Sequence, residues 1–136
     1  MGAWGVNTFD NDTACDWAYD LEKEKDLALV RKAIAGALDV GEEYLESDEA
    51  CEALAACEVV ARLKGNWGVR NAYTETIDKW VETHPGTPPD DLIANAIAAI
   101  DRILSAQSEL LELWDEDGEN KEWHEAMNDL RARVAS

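Results

Sequence analysis

The chain has 136 residues, of which 46% are hydrophobic and 31% charged, a composition typical of one folded domain with its own core. Its 30 acidic residues outnumber 12 basic ones, which gives a formal net charge of −18. Nucleic acids and anionic membranes are bound through Lys and Arg, so this charge argues against both as partners and favours a basic protein. The alternative is an acidic surface that only keeps the protein soluble.

The predicted elements begin with a non-helical segment, residues 1–10, in which glycines flank Trp4. Asn11 or Asp12 then caps a first helix, because either side chain can accept a hydrogen bond from a free N–H of the first turn. The apolar face of this helix comprises Ala14, Trp17, Ala18 and Leu21.

Two further helices follow in the first half of the chain. Asp26 can cap the second, and Gly41 ends or kinks it. The third runs from Asp48 to Lys64 after a Ser47 cap. It is rich in alanine and cysteine, whose small side chains let a neighbouring helix approach closely.

The second half of the chain predicts four more helices. Thr74 starts a short one. Thr87 as N-cap and Pro88 at the first helical position open the next, whose leucine and isoleucine stripe makes it the best core helix of the chain. A short helix follows a Ser108 cap, and the last helix follows a turn at residues 117–118.

This pattern predicts an all-α fold, because no run of alternating polar and apolar residues indicates a strand. We expect a single domain over residues 1–136. Its helical body, residues 11–136, forms an antiparallel bundle of about six to seven helices. Residues 1–10 form an ordered, non-helical segment that docks on this body.

The charge imbalance is concentrated in two stretches. Between Lys32 and Arg62 there are eight carboxylates and no cation. From Glu109 to Asp129 there are nine carboxylates, with Lys121 as the only cation. Such stretches attract a basic partner and raise the rate of its association.

Carboxylates also recur at helical spacing along the first helix, at Asp12, Asp16 and Asp20. Hard cations take oxygen ligands, so this stripe is the candidate for a metal site, with Asp10 as a further ligand. A solvated helix face is the alternative interpretation, and we expect no cofactor.

Glu58 interrupts an apolar run, which predicts a half-buried carboxylate that must be paired. Arg62, four residues later, is its local partner. A structural ion pair is one interpretation, and a site residue with a pKa shifted by burial is the other.

The remaining candidates are aromatic. Trp17 lies on an apolar helix face, which places it in the core, whereas Trp4 and Trp67 lie in glycine-flanked turns. The latter two either fill gaps between helices, which we favour, or form a recognition patch. The candidate binding residues are Trp4, Phe9, Asp10, Asp12, Asp16, Trp17, Glu58 and Trp67.

The N-terminal residues also carry a resemblance. The motifs Gly2-Ala3-Trp4-Gly5, Phe9-Asp10-Asn11-Asp12 and Asp16-Trp17, with weaker matches further along, resemble a bacterial family catalogued as domain of unknown function 4259. The resemblance implies one domain over the whole chain. It implies no activity, ligand or catalytic residue.

Two classes of function follow from the sequence. The preferred one is a non-catalytic, cytoplasmic protein-interaction module that binds a basic partner, as an inhibitor or immunity protein does. Its location follows from the absence of a secretory signal pattern in the first residues. The alternative is a metal-assisted enzyme that uses the N-terminal carboxylates, with Glu58 as base. Neither histidine has a visible nucleophile beside it, so we name no catalytic residue.

Overall fold

The structure, a computed structural model, describes residues 3–136 and contains seven α-helices within them. They are α1 (Asp12–Glu22), α2 (Ala28–Leu38), α3 (Ser47–Leu63), α4 (Glu75–Thr83), α5 (Asp90–Ile103), α6 (Glu109–Trp114) and α7 (Lys121–Ala135). The described part of the chain has two isolated β-bridges and no strand, so the prediction of an all-α bundle is confirmed. Met1 and Gly2, which belong to the predicted N-terminal segment, lie outside the described residues.

Helix α3 lies at the centre of the bundle and contacts each of the other described helices. It is buried on almost all sides, because its alanine and cysteine side chains allow close approach. The prediction that the helix after Thr87 is the best core helix is therefore wrong. That helix, α5, buries one apolar face, comprising Leu92, Ala96, Ala99, Ile100 and Ile103.

Two predicted helix starts are also wrong. Helix α3 begins at Ser47 itself, whose backbone N–H donates to Glu109 Oε1 at 2.8 Å, so a distant carboxylate replaces the local cap. Helix α5 begins only at Asp90, because Pro89 disfavours helical geometry at Pro88 and is itself extended. Thr87 therefore lies outside the helix.

The N-terminal segment, residues 3–10, is held by its own backbone and by the core. Trp4 N–H donates to Asp10 O at 2.8 Å, and Ala3 forms a bridge with Asn11, which caps α1 as predicted. Phe9 joins the hydrophobic cluster to which all seven helices contribute. Within residues 3–136, the helices are too short or too polar to cross a membrane.

Candidate functional site

Glu58 lies at the centre of a buried ionic network that joins three parts of the chain. Its Oε1 accepts hydrogen bonds from Arg62 Nη1 and, at 2.9 Å, from Arg133 Nη1. Its Oε2 accepts from Arg133 Nη2 at 3.1 Å and from Thr8 Oγ1 at 3.0 Å. The predicted pair with Arg62 is confirmed, and Arg133 on α7 and Thr8 in the N-terminal segment complete the set.

The network continues from Arg62 into α4. Arg62 Nε donates to Asp78 Oδ1 at 2.8 Å, and Thr74 Oγ1 donates to Asp78 Oδ2 at 2.7 Å. Arg62 Nη2 donates to the backbone carbonyl of Val69 at 2.7 Å. Every charge that the network buries therefore meets an opposite charge or a hydrogen-bonding group.

The Arg133 guanidinium lies against Gly68, so a side chain at that position would have to displace it. A Cβ atom at Gly68 would lie 2.7 Å from the Arg133 guanidinium, closer than any real contact. Burial acts to lower the pKa of Arg133, but Glu58 and Asp129 raise it above its ordinary value.

These contacts give Glu58 a structural role. Four donors occupy its two oxygens, so it has no lone pair free to take a proton from a substrate. The cavity beside it has a volume of about 40 Å³, which holds a few water molecules at most. The interpretation of Glu58 as a structural ion pair is the one that the geometry favours.

The two cation-poor stretches come together elsewhere on the molecule. Leu45 N–H donates to Gln107 O at 2.8 Å, and Glu109 N–H donates to Leu45 O at 2.9 Å. Tyr44 adds a hydrogen bond from its hydroxyl to Glu112 Oε1 at 3.1 Å. Thr13 Oγ1 donates to Asp48 Oδ1 at 3.2 Å, which joins the start of α1 to the same surface.

We call this surface the acidic face. Its members act electrostatically on Tyr44 or Glu52 or lie at the start of α1 beside Asp48, and they are Asp12, Asp20, Glu46, Asp48, Glu49, Glu52, Glu109 and Glu112. Within residues 3–136, none of these carboxylates forms a salt bridge. In the part of the chain that the structure describes, the acidic face is therefore a cluster of carboxylates without salt-bridge partners.

The negative charge of the acidic face shifts the pKa values of titratable groups within it. Burial and then Glu49 and Asp48 raise the pKa of Glu52, with Lys32 acting in the opposite direction. Burial raises the pKa of Cys51 to about 12, and Asp48 and Glu52 contribute to the rise. A local negative potential accounts for both shifts beyond the effect of burial.

Arg102 holds the junction of the two stretches in place. Its guanidinium donates to four backbone carbonyls, those of Gly41, Glu43, Ala106 and Gln107, at 2.6–3.1 Å. Gln107 has a positive φ of 62°, a strained conformation that these contacts stabilise. Arg102 thus donates mainly to backbone carbonyls, and sequence reasoning missed it because a backbone acceptor has no residue-type pattern and because Gly41 and Glu43 are distant in sequence.

A groove opens in the acidic face between the N-terminal segment, α3, α6 and α7, and we call it the α6–α7 groove. Its volume is about 260 Å³. Apolar side chains from three helices line it, and Asp12 and Asp48 supply its carboxylates. The apolar lining includes Leu54, Leu110, Leu113, Trp114, Trp123 and Met127.

The aromatic candidates divide into buried and exposed residues. Phe9 and Trp17 are 2% and 3% exposed, so both are core residues that a partner cannot reach. The Trp17 indole N–H has no hydrogen-bond acceptor among the described residues. Trp67 packs against the core beneath the Arg70 guanidinium, 4.3 Å from its ring centroid, as a gap-filling residue does.

Trp4 does not fill a gap between helices, the role that the sequence favours for it. Its side chain is 49% exposed and lies against Tyr73, with ring centroids 5.1 Å apart. The interpretation of Trp4 as a plug between helices is wrong, because its ring packs against Tyr73, which is itself 49% exposed, and not between helices.

The metal hypothesis finds no site in the described structure. Among residues 3–136, no three His, Cys, Asp or Glu side chains are placed to hold one ion together. Asp12 borders the α6–α7 groove, whereas Asp16 and Asp20 lie exposed along α1. Asp10 accepts a hydrogen bond from Asn7 N–H at 3.1 Å.

His124 pairs with a carboxylate that sequence spacing did not indicate. Its Nε2 lies 2.9 Å from Asp115 Oδ2, and Asn120 N–H donates to Asp115 Oδ1 at 3.0 Å. Burial acts to raise the pKa of Asp115, but these two hydrogen bonds bring it below its ordinary value. The pair stabilises the turn between α6 and α7.

A comparison with known protein families finds a match. Residues 2–126 match the family model described as a domain of unknown function, DUF4259, which confirms the resemblance seen in the N-terminal motifs. No curated protein and no solved structure matches the chain.

Proposed function

The chain belongs to the DUF4259 family, and we propose that it is a non-catalytic interaction module that binds a basic protein through the acidic face. The observation that carries this proposal is the meeting of the two cation-poor stretches at the Leu45–Ser108 bridge. Carboxylates distant in sequence, Glu46, Glu109 and Glu112, lie close together there around Tyr44, and the Arg102 guanidinium at this junction bonds to backbone carbonyls. An inhibitor or immunity protein that covers a basic site would use such a surface.

The carboxylates of the acidic face form no salt bridge within residues 3–136. Repulsion between neighbouring carboxylates opposes folding, and salt bridges would relieve it. The rest of the described chain makes such pairs, for example Arg131 with Asp101 at 2.8 Å. At the acidic face an incoming cation would supply the missing partners, and long-range attraction would speed its arrival. A cytoplasmic location, which the free cysteines favour, is part of the proposal.

The test compares two neutralised variants of equal charge. One is Asp12→Asn with Asp48→Asn, both in the acidic face. The other is Glu22→Gln with Asp90→Asn, at the far end of α1 from Asp12 and at the far end of α5 from the Arg102 junction. The probe is a labelled peptide of alternating arginine and serine, and its dissociation constant is measured by fluorescence anisotropy at several salt concentrations.

We expect the acidic-face variant to weaken binding about three- to tenfold, since each exposed ion pair contributes about 0.2–1 kcal/mol. The matched variant should change binding less than twofold, and salt should weaken binding in all three proteins. Equal losses in both variants would mean that net charge alone attracts the peptide, and the proposal would then be wrong. Salt-sensitive capture from native lysate, by the wild-type protein and not by the acidic-face variant, would identify the partner.

A further inference from the structure

We propose that the α6–α7 groove binds an arginine of the partner together with an apolar side chain next to it. This inference rests on the proposed function and narrows it from a charged surface to one recognition site. It names the partner's chemistry as a basic segment in which arginine and aliphatic residues are neighbours.

The size of the groove limits what it can hold. Small-molecule sites commonly occupy about 300–1,000 Å³, and this groove, at about 260 Å³, lies just below that range. It is large enough for one or two side chains of a peptide. Its walls come from the N-terminal segment and from α1, α3, α6 and α7, so a ligand would contact elements from both ends of the chain.

The lining of the groove combines apolar side chains with polar groups in comparable amounts, and its carboxylates come from two helices. Leu113 and Trp114 are half-buried and present apolar surface to the groove, whereas Trp123, whose ring centroid lies 6.0 Å from that of Trp114, is 2% exposed and supports Trp114 from the core. Asp12 at the start of α1 and Asp48 at the start of α3 supply the charge. An apolar side chain would pack against Trp114 and Leu113, while a cation beside it reached the carboxylates.

Arginine fits this combination better than lysine. A guanidinium is weakly hydrated, stacks on aromatic rings and binds carboxylates through two parallel hydrogen bonds. Trp114 is only half-buried, which leaves part of its ring for such contact. The same combination already exists elsewhere in the protein, where Arg70 lies over Trp67 and pairs with Glu82 at 3.0 Å.

The experiment uses two short peptides with equal numbers of arginines. Leucine flanks each arginine in the first peptide, and serine does so in the second. The test variant is Ala126→Phe, which fills the groove from α7 without changing the charge. The control is Ala132→Phe, the same substitution at an exposed position of the same helix outside the groove. Circular dichroism melts establish that both variants are folded.

On the wild-type protein, we expect the leucine peptide to bind about tenfold more tightly than the serine peptide, since burying one leucine is worth at least that factor. Ala126→Phe should abolish this preference and leave the serine peptide unaffected, and Ala132→Phe should preserve the preference. If Ala126→Phe is unfolded, Trp114→Leu replaces it. This substitution keeps an apolar side chain at position 114. It should weaken binding of the leucine peptide severalfold, and it should reduce the preference for arginine over lysine in the peptide.

The outcomes separate this inference from the proposed function. The two peptides could bind equally well and still bind more weakly to the acidic-face variant. That result would contradict the inference about the groove and leave the proposed function standing. Unchanged preference in Ala126→Phe would likewise overturn the groove. Failure of both peptides to bind at low salt would contradict the proposed function itself.

Discussion

The Glu58 network and the acidic face use the same side chain in opposite ways. Glu58 and Asp78 are 7% and 4% exposed, and each is matched by an arginine and by a threonine hydroxyl. The carboxylates of the acidic face lie mostly in solvent and have no salt bridge within residues 3–136. Ionic and hydrogen-bonding partners, more than the residue type, therefore decide whether a carboxylate stabilises the fold or remains free to bind.

The N-terminal segment touches both regions. Thr8 donates to Glu58 and also lines the α6–α7 groove. The structural network thus positions one wall of the groove. Substitutions that act on one region and spare the other therefore test whether the two roles are separable.

The largest effect should come from Glu58→Ala. The substitution removes the carboxylate that Arg62 and Arg133 share, and removing one member of a buried ion pair costs about 3–5 kcal/mol. The free energy of unfolding from urea denaturation measures this loss. Glu125→Ala, at an exposed position of α7, is the control and should change stability little. A loss below about 1 kcal/mol for Glu58→Ala would show that the network does not stabilise the fold.

A smaller effect should follow Arg102→Ala, which removes the only guanidinium bonded to both loops of the junction in the described structure. We expect a loss of about 1–3 kcal/mol, since hydrogen bonds to a charged group are lost. Hydrogen exchange at the Leu45 and Glu109 amides, which bridge the loops, should accelerate.

Arg131→Ala is the matched control for this prediction, because Arg131 pairs with Asp101 on the outer surface of α5 and α7. Arg131→Ala should lower the free energy of unfolding less than Arg102→Ala does, and it should leave hydrogen exchange at the Leu45 amide unchanged. Unchanged exchange in Arg102→Ala would mean that the acidic face forms without this arginine.

The smallest effect should appear in the pH dependence of stability. The pKa of Glu52 is raised above 4.5, by burial and then by Glu49 and Asp48, so its ionised form opposes folding. As pH falls from neutrality through that raised pKa, stability should therefore rise. The pKa of Asp101 is lowered below 3.8, chiefly by the hydrogen bond from Arg131, so its stabilising contribution is lost as pH falls through the lowered value.

Maximal stability is thus expected below neutrality, between these two pKa values, and urea denaturation at a series of pH values measures it. Glu52→Gln should flatten the rise between neutrality and the maximum, and high salt should weaken it. Stability that falls steadily from pH 7 downward would contradict the expected repulsion at the acidic face.

Several features could be predicted from the sequence because they depend on neighbours along the chain. Helical periodicity located the seven helices, and the i, i+4 spacing located the Glu58–Arg62 pair. The start of α5 was missed because two consecutive prolines delay helical geometry, which a cap pattern alone does not reveal. The central place of α3 was missed because hydrophobicity favours large side chains, whereas close packing here depends on small ones.

The sequence by itself determined the all-α fold, the strongly acidic charge and the need of Glu58 for a partner. Only the tertiary structure brought Arg133 and Thr8 to that carboxylate and joined the two cation-poor stretches beside a groove. These two groups of features differ in how far apart along the chain the interacting residues lie. Helix formation and capping act between residues a few positions apart, whereas ion pairs and surfaces between distant segments depend on how the helices pack.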